Sequence, residues 1–65
     1  MKVNRSKFDV AKARSCMGRK EILAAGFPDG TLRGVVSGRN LKPETVGRLA
    51  KIMEVDVLDL IDTDN

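Results

Sequence analysis

Glycine and proline divide this chain into short segments. Gly18, Gly26 and Gly38 interrupt it, and Pro28 and Pro43 each restrict the residue before them to an extended conformation. Between these breaks apolar residues recur at helical spacing, and outside one pair of adjacent valines nothing alternates as a strand does. The spacing of the breaks therefore predicts an all-α chain built of short helices.

Five helices fit between the breaks, within a single domain that spans residues 1–65. Ser6, Asp29 and Asp56 are the predicted N-caps of the first, third and last helices, because short polar side chains accept hydrogen bonds from free amides there. Pro43 followed by Glu44 is typical of a helix start. Residues 62–65 are expected to fray. The predicted helices span about residues 7–16, 19–25, 30–37, 43–54 and 57–61.

The fourth predicted helix has the clearest amphipathic pattern. Val46, Leu49, Ala50 and Met53 fall at positions i, i+3, i+4 and i+7. We expect this stripe to form the centre of the core.

The other helices have less regular apolar faces. In the first helix two adjacent stripes are predicted to be buried: Phe8, Ala11 and Ser15, and Val10, Ala13 and Met17. Elsewhere the side chains expected to face the core are Ile22, Ala25, Leu32, Val35, Val36, Leu58 and Ile61. That choice leaves Val57 and Leu60 on the outer faces of the last helix.

Several functional classes lack the residues they need. The chain has no histidine and only one cysteine, Cys16, so neither an intramolecular disulfide nor the usual zinc site can form. No nucleophile lies next to a base and no glycine loop is arranged to hold a phosphate, so we expect neither an enzyme nor a cofactor. No apolar run is long enough for a membrane span, and the chain is expected to be cytoplasmic. Cys16 is expected to be a small, partly buried apolar residue.

Charge is distributed unevenly along the chain. Residues 1–51 contain all 12 lysines and arginines and four acidic residues, a net charge of +8, whereas residues 52–65 contain five acidic residues, a net charge of −5. Clustered cations are typical of proteins that bind phosphate groups of nucleic acids. A solvated surface of mixed charge explains the same counts equally well.

The order of the breaks resembles a known family. Gly26-Phe27 opens a turn, Gly38-Arg39 ends the helix after it, and Lys42-Pro43 begins the next helix. The segment Ala50 to Val57 is similar to an Ala-x-x-Leu-x-Val signature that leads into a fifth helix. In these features the chain, from about Phe8 to Ile61, resembles the lambda-repressor-like (Cro and C1 type, XRE-family) helix-turn-helix domain. One residue fewer than in the family lies between Ile22 and Gly26, so the second helix is expected to be short.

The resemblance implies a set of DNA-binding residues. In this family the third helix enters the major groove, and Arg33 is the residue there best suited to the two-pronged contact with guanine. Thr31 has either a DNA contact or a structural role at the helix start, and Asp29 is favoured as a cap. Gly34 stands where the family often has a contact residue. The groove-facing residues implied by position are Asp29, Gly30, Thr31 and Arg33. The implied phosphate-binding residues are Arg19, Lys20, Ser37, Arg39, Asn40 and Lys42.

The resemblance also implies a function, sequence-specific binding of double-stranded DNA by a small transcriptional regulator. The alternative is a protein-interaction module, such as an antitoxin or adaptor, that uses the same fold. A weak homodimer is expected through the last helix, with Val57 and Leu60 at the contact. A monomer in which both side chains fill the core is the competing interpretation.

Overall fold

The computed structural model describes residues 1–62 and contains four α-helices followed by one turn of 3-10 helix. The helices are α1 (Arg5–Ser15), α2 (Arg19–Ala24), α3 (Asp29–Ser37) and α4 (Pro43–Met53), and the 3-10 turn is Val57–Asp59. The described residues include no strand. The all-α prediction is confirmed, and the predicted fifth helix is only a 3-10 turn. Residues 63–65, part of the segment expected to fray, lie outside the described residues.

The predicted breaks end the helices as expected. Gly26 and Gly38 have φ angles of 100° and 79°, the left-handed region in which glycine has no steric penalty. Pro43 is the first residue of α4, where its missing N–H costs nothing. The second helix is short, with six residues.

The stripe of α4 lies at the centre of the core, as predicted. Val46, Leu49, Ala50 and Met53 are all buried. They pack with buried side chains from α1, α2 and α3 and from the segments that follow α2 and the 3-10 turn, among them Phe8, Ile22, Phe27, Leu32 and Leu60.

The start of α1 differs from the prediction. Its N-cap is Asn4, whose Oδ1 accepts from the backbone N–H of Lys7 at 3.0 Å, and Ser6 lies inside the helix. Asn4 is held in this position by the end of the chain. Its backbone N–H donates to the Leu60 carbonyl at 2.7 Å, and its Nδ2 donates to Asp62 at 2.9 Å. Asp62 is therefore tied to the fold rather than frayed.

The buried face of α1 is narrower than predicted. Phe8 and Ala11 are buried, but Val10 is 56% exposed and Ala13 is also exposed. The prediction was wrong for Val10 and Ala13, because the side of α1 that faces the core is formed by Phe8 and Ala11, whereas Met17, which follows α1, is partly buried against the core. Cys16 is also exposed, since it ends α1 in the left-handed conformation, at φ 54°.

Two residues predicted to face the core, one from each of the second and third helices, are exposed. Ala25 is the first: Ile22 is the buried residue of α2, and Ala25 follows the last residue of that helix. Val36 was predicted to face the core and is 40% exposed, because the inner side of α3 is formed by Leu32, Gly34 and Val35.

The 3-10 turn reverses the predicted orientation of its apolar residues. Leu60 is fully buried and Leu58 is 56% exposed, the opposite of the expectation. With three residues per turn, Val57 and Leu60 fall on one side of the turn, and that side faces the core. Ile61 is buried as predicted, and Asp56 caps the turn by accepting from the Leu58 amide at 3.1 Å.

None of the helices in residues 1–62 is long and apolar enough to cross a membrane.

Candidate nucleic-acid interface

The third helix presents a continuous exposed face. Leu32 and Val35 fix its inner side in the core, which leaves the opposite side open to solvent. Four of the residues implied by the resemblance lie on this exposed face: Asp29, Gly30, Arg33 and Ser37.

Thr31 does not belong to this face. It is half-buried and lies about 160° around the helix from Arg33, two residues earlier at 100° per residue. The expectation that Thr31 reaches a base is therefore less favoured than its supporting role at the start of α3.

Val36 is the residue of this face that the sequence did not indicate. It lies three positions after Arg33, so the two side chains are neighbours on the helix surface. The i+3 relation to Arg33 was the available signal, and the assumption that a valine packs inward concealed it.

An ion-pair cluster joins the beginning of α3 to the beginning of α2. Asp29 is the first residue of α3, not its cap, which is Pro28. Oδ1 of Asp29 contacts Nη2 of Arg19 from α2, and its Oδ2 lies 3.5 Å from Nη2 of Arg33 one turn along α3. All three side chains are about half or more exposed. One carboxylate thus holds two arginines at the edge of the exposed face.

The first turn of α2 is capped by one of its own side chains. The backbone N–H of Gly18 donates to the Glu21 carboxylate at 2.7 Å, which satisfies one of the free amides of the first turn. Lys20, the second residue of α2, is exposed and has no carboxylate within 4 Å among residues 1–62. Its charge is therefore available to an external anion.

The loop after α3 places a second arginine against the helix. The Arg39 N–H donates to the Gly34 carbonyl at 2.9 Å, which closes the helix end at Gly38. The stem of Arg39 lies over Gly34, where an added Cβ would be 3.5 Å from Arg39 Cδ and 3.6 Å from a methyl group of Leu41. The Arg39 stem is therefore close to α3 at Gly34, and an added Cβ there would make only ordinary van der Waals contacts with it.

Three further residues, Ser37, Asn40 and Lys42, differ in which of their polar groups can still bind DNA. The Ser37 hydroxyl donates to the Gly34 carbonyl at 3.3 Å, so its oxygen remains free to accept. Oδ1 of Asn40 accepts from the Met1 nitrogen at 2.6 Å, which leaves its NH₂ group as donor. Lys42 is the exposed N-cap residue of α4, and no carboxylate of the described residues lies within 4 Å of it.

We refer to five exposed cationic side chains as the basic surface: Arg19, Lys20, Arg33, Arg39 and Lys42. They come from α2, from α3 and from the loop that leads into α4. Asp29 joins Arg19 to Arg33, and the Arg39 stem packs against Gly34. Lys20 and Lys42 have no side-chain hydrogen bond inside the described part of the chain.

Comparison of the chain with protein-family models, with curated proteins and with solved structures finds no match. The functional argument therefore depends on the residues and contacts described above.

Proposed function

We propose that this protein binds double-stranded DNA as a small transcriptional regulator, with α3 in the major groove. The observation that carries the proposal is the basic surface, in which Arg33 lies on the exposed face of α3, Arg19 of α2 is joined to α3 through Asp29, and Arg39 of the following loop packs on Gly34. An α-helix fits the major groove, and cations on both sides of it would meet the phosphates that border the groove.

The flanking cations supply the general attraction. Lys20, Arg39 and Lys42 are exposed and are not neutralised by carboxylates of residues 1–62. Each phosphate that they neutralise releases counterions, which gives affinity that falls steeply with salt. Arg39 is the most constrained of the three, because its stem is packed on Gly34.

The exposed face of α3 supplies the base contacts. Arg33 is the donor suited to guanine O6 and N7, and Val36 offers a methyl surface suited to the thymine C5-methyl group. Gly30 has no neighbouring atom within 4 Å of an added Cβ, so the helix backbone can approach the groove closely there. This combination favours sequence-specific over purely electrostatic binding.

A homodimer belongs to this proposal, with a different contact from the one expected. Leu60 cannot form it, because it is fully buried. A groove of about 290 Å³ lies instead between α1 and the 3-10 turn and contains the exposed side chains Val10 and Leu58. Arg14 from α1 and Asp59 from the 3-10 turn border it, 3.8 Å apart.

The occupant that fits this groove is a second copy of the chain. In a two-fold contact the same pair of residues meets twice, once in each direction, so Arg14 of each protomer can face the acidic turn of the other. The apolar area is small, so the dimer is expected to be weak and to form on DNA.

The alternative function is a protein-interaction module, and the same groove is the feature that favours it. The two functions differ in what they require of the basic surface. DNA binding needs its charges, whereas a partner seated between α1 and the 3-10 turn does not.

Selection of genomic fragments by the purified protein tests the proposal. At about 0.1 M salt we expect enrichment of fragments that share a short motif, and at about 0.4 M we expect fewer fragments with the same motif. A library recovered without any shared motif would contradict sequence-specific binding. A protein that retains no fragment at either salt concentration would favour the interaction module.

A further inference from the structure

Asp29 is an acidic side chain within a group of cations that otherwise attracts phosphate. Its two carboxylate oxygens contact different arginines, Arg19 through Oδ1 and Arg33 through Oδ2. Because Arg19 belongs to α2 and Arg33 to α3, the carboxylate links the two helices at the edge of the exposed face.

The contact lowers the general attraction of the surface for DNA. Asp29, Arg19 and Arg33 together carry a net charge of +1, whereas the two arginines alone would carry +2. Removal of the carboxylate should therefore increase binding to any duplex, with no regard to its sequence.

The same contact restricts the two arginines. A free arginine side chain has many rotamers, and holding one of them in advance reduces the entropy lost when it binds. Each guanidinium has five N–H donors in one plane, and a single carboxylate oxygen occupies only part of them. Arg33 remains the most exposed member, with 72% of its side chain accessible, so its other donors can reach a base edge.

We propose that Asp29 is a positioning residue, which lowers the affinity for DNA of any sequence and increases the preference for one sequence. It holds the Arg33 guanidinium at the first turn of α3, ready for a two-pronged contact with one guanine. It also keeps Arg19 from binding phosphate indiscriminately. This proposal rests on the proposed DNA-binding function.

Asp29→Asn should change the two kinds of affinity in opposite senses. Affinity for random duplex DNA should increase, by up to about eightfold at 0.1 M salt if one released cation makes one new phosphate contact. The ratio of affinity for the preferred site to affinity for random duplex should decrease about two- to tenfold, the effect of ordering one long side chain only on binding.

Asp9→Asn is the matched control. Asp9 also bridges two cations, Arg5 at 3.3 Å and Lys12 at 3.7 Å, but it does so on α1. The variant therefore removes the same charge and breaks a similar exposed ion-pair cluster. We expect its preference for the selected site over random duplex to equal that of the wild type.

A double-mutant cycle with Arg33→Ala separates positioning from simple charge. If Asp29 acts through Arg33, Arg33→Ala with and without Asp29→Asn should have the same ratio of affinity for the preferred site to affinity for random duplex. Both single variants should also lose preference at the same base pair of the site. Asp29→Ser, which keeps a short polar side chain at the helix start, should behave as Asp29→Asn does if the asparagine variant does not fold.

The experiment is an equilibrium titration of fluorescent duplexes, one with the motif selected by the wild type and one scrambled. A decreased ratio in Asp29→Asn, absent in Asp9→Asn and in the Arg33→Ala background, supports the proposal. An unchanged ratio with increased affinity for both duplexes would overturn it, because Asp29 would then act only by its charge. If the wild type binds neither duplex, the proposed function itself fails, which is a distinct result.

Discussion

At the scale of single residues, burial separates two leucines that the sequence does not distinguish. Leu49 is fully buried in the middle of α4, whereas Leu58 is 56% exposed on the 3-10 turn. Leu49→Ala should cost about 2 to 5 kcal/mol of unfolding free energy, because it removes buried methyl groups and leaves a cavity. That loss is comparable to the whole stability of so short a chain, about 3 to 10 kcal/mol. Leu58→Ala should cost about 0.5 kcal/mol or less. Urea unfolding followed by circular dichroism measures both, and equal losses would contradict the assigned burial.

Asp62 gives a prediction of pH dependence. The hydrogen bond from the Asn4 amide, with the nearby Lys7 ammonium 3.5 Å away, holds the pKa of this exposed carboxyl below its usual value. A lowered pKa in the folded state stabilises the fold fully above the ordinary carboxyl pKa of about 3.9, and the contribution is lost as the pH falls through the lowered value. Wild type should therefore be more stable than Asp62→Asn at pH 6, and the difference should decrease below about pH 4. Thermal melts across this range measure it, and a difference that does not vary with pH would contradict the contact.

At the scale of elements, two glycines should respond to alanine in opposite ways. Gly38 ends α3 with a φ of 79°, where a Cβ is strained, and Gly47 lies inside α4 with nothing within 4 Å of an added Cβ. Gly38→Ala should lower the unfolding free energy by about 1 kcal/mol or more. Gly47→Ala should raise it by about 0.5 to 1 kcal/mol, because alanine favours the helix interior. Chemical unfolding of both variants tests the assignment, and a stabilised Gly38→Ala would contradict the left-handed helix end.

The sequence could predict structural features that are determined by neighbouring residues, but not those that depend on contacts between distant parts of the chain. The α4 stripe was predictable because an 11-residue helix shows its period through four apolar positions. The three-residue 3-10 turn has too few residues to show a period, so the burial predicted for Leu58 and Leu60 was the reverse of that observed. The cap at Asn4 depends on contacts with Leu60 and Asp62, more than 50 residues away, which no local pattern indicates.

The candidate site also has features that the sequence could predict and features that depend on tertiary packing. The basic residues were found from charge and from the family resemblance, and four of the implied residues share the exposed face of α3. The link from Asp29 to Arg19 depends on how α2 and α3 are placed relative to each other, and the exposure of Val36 depends on how α3 is rotated against the core. The first cannot be obtained from helical periodicity, and the second was indicated only by the i+3 spacing of Val36 from Arg33.

At the scale of the whole molecule, the basic surface and the proposed dimer groove should act independently. Leu58→Gln replaces an exposed apolar side chain in the groove without a change of charge, so it should leave the fold and the phosphate attraction unaltered. It should abolish cooperative occupancy of a duplex with two half-sites one helical turn apart, about 34 to 36 Å. Affinity for a single half-site should remain that of the wild type. Sedimentation of the complexes measures this, and equal cooperativity in the variant would exclude the groove as the dimer contact.

In the proposed complex Lys20, Arg39 and Lys42 bind DNA phosphates, and the salt dependence of duplex binding tests these contacts. We would measure the anisotropy of a labelled duplex between about 0.05 and 0.3 M salt for the wild type and for Arg39→Ala with Lys42→Ala. Each lost phosphate contact should reduce the slope of log affinity against log salt by about 0.9, so the double variant should lose about 1.8. The matched control is Arg5→Ala with Lys51→Ala, which also removes two positive charges. One is on α1, and the other is on α4, about 12 Å along the helix from Pro43 and so away from Lys42.

We predict strong salt-dependent binding by the wild type, the same slope for the Arg5 and Lys51 control, and a slope lower by about 1.8 for the Arg39 and Lys42 variant, with all three proteins folded by circular dichroism. A folded Arg39 and Lys42 variant that keeps the wild-type slope, or a wild type whose binding does not depend on salt, would contradict the account.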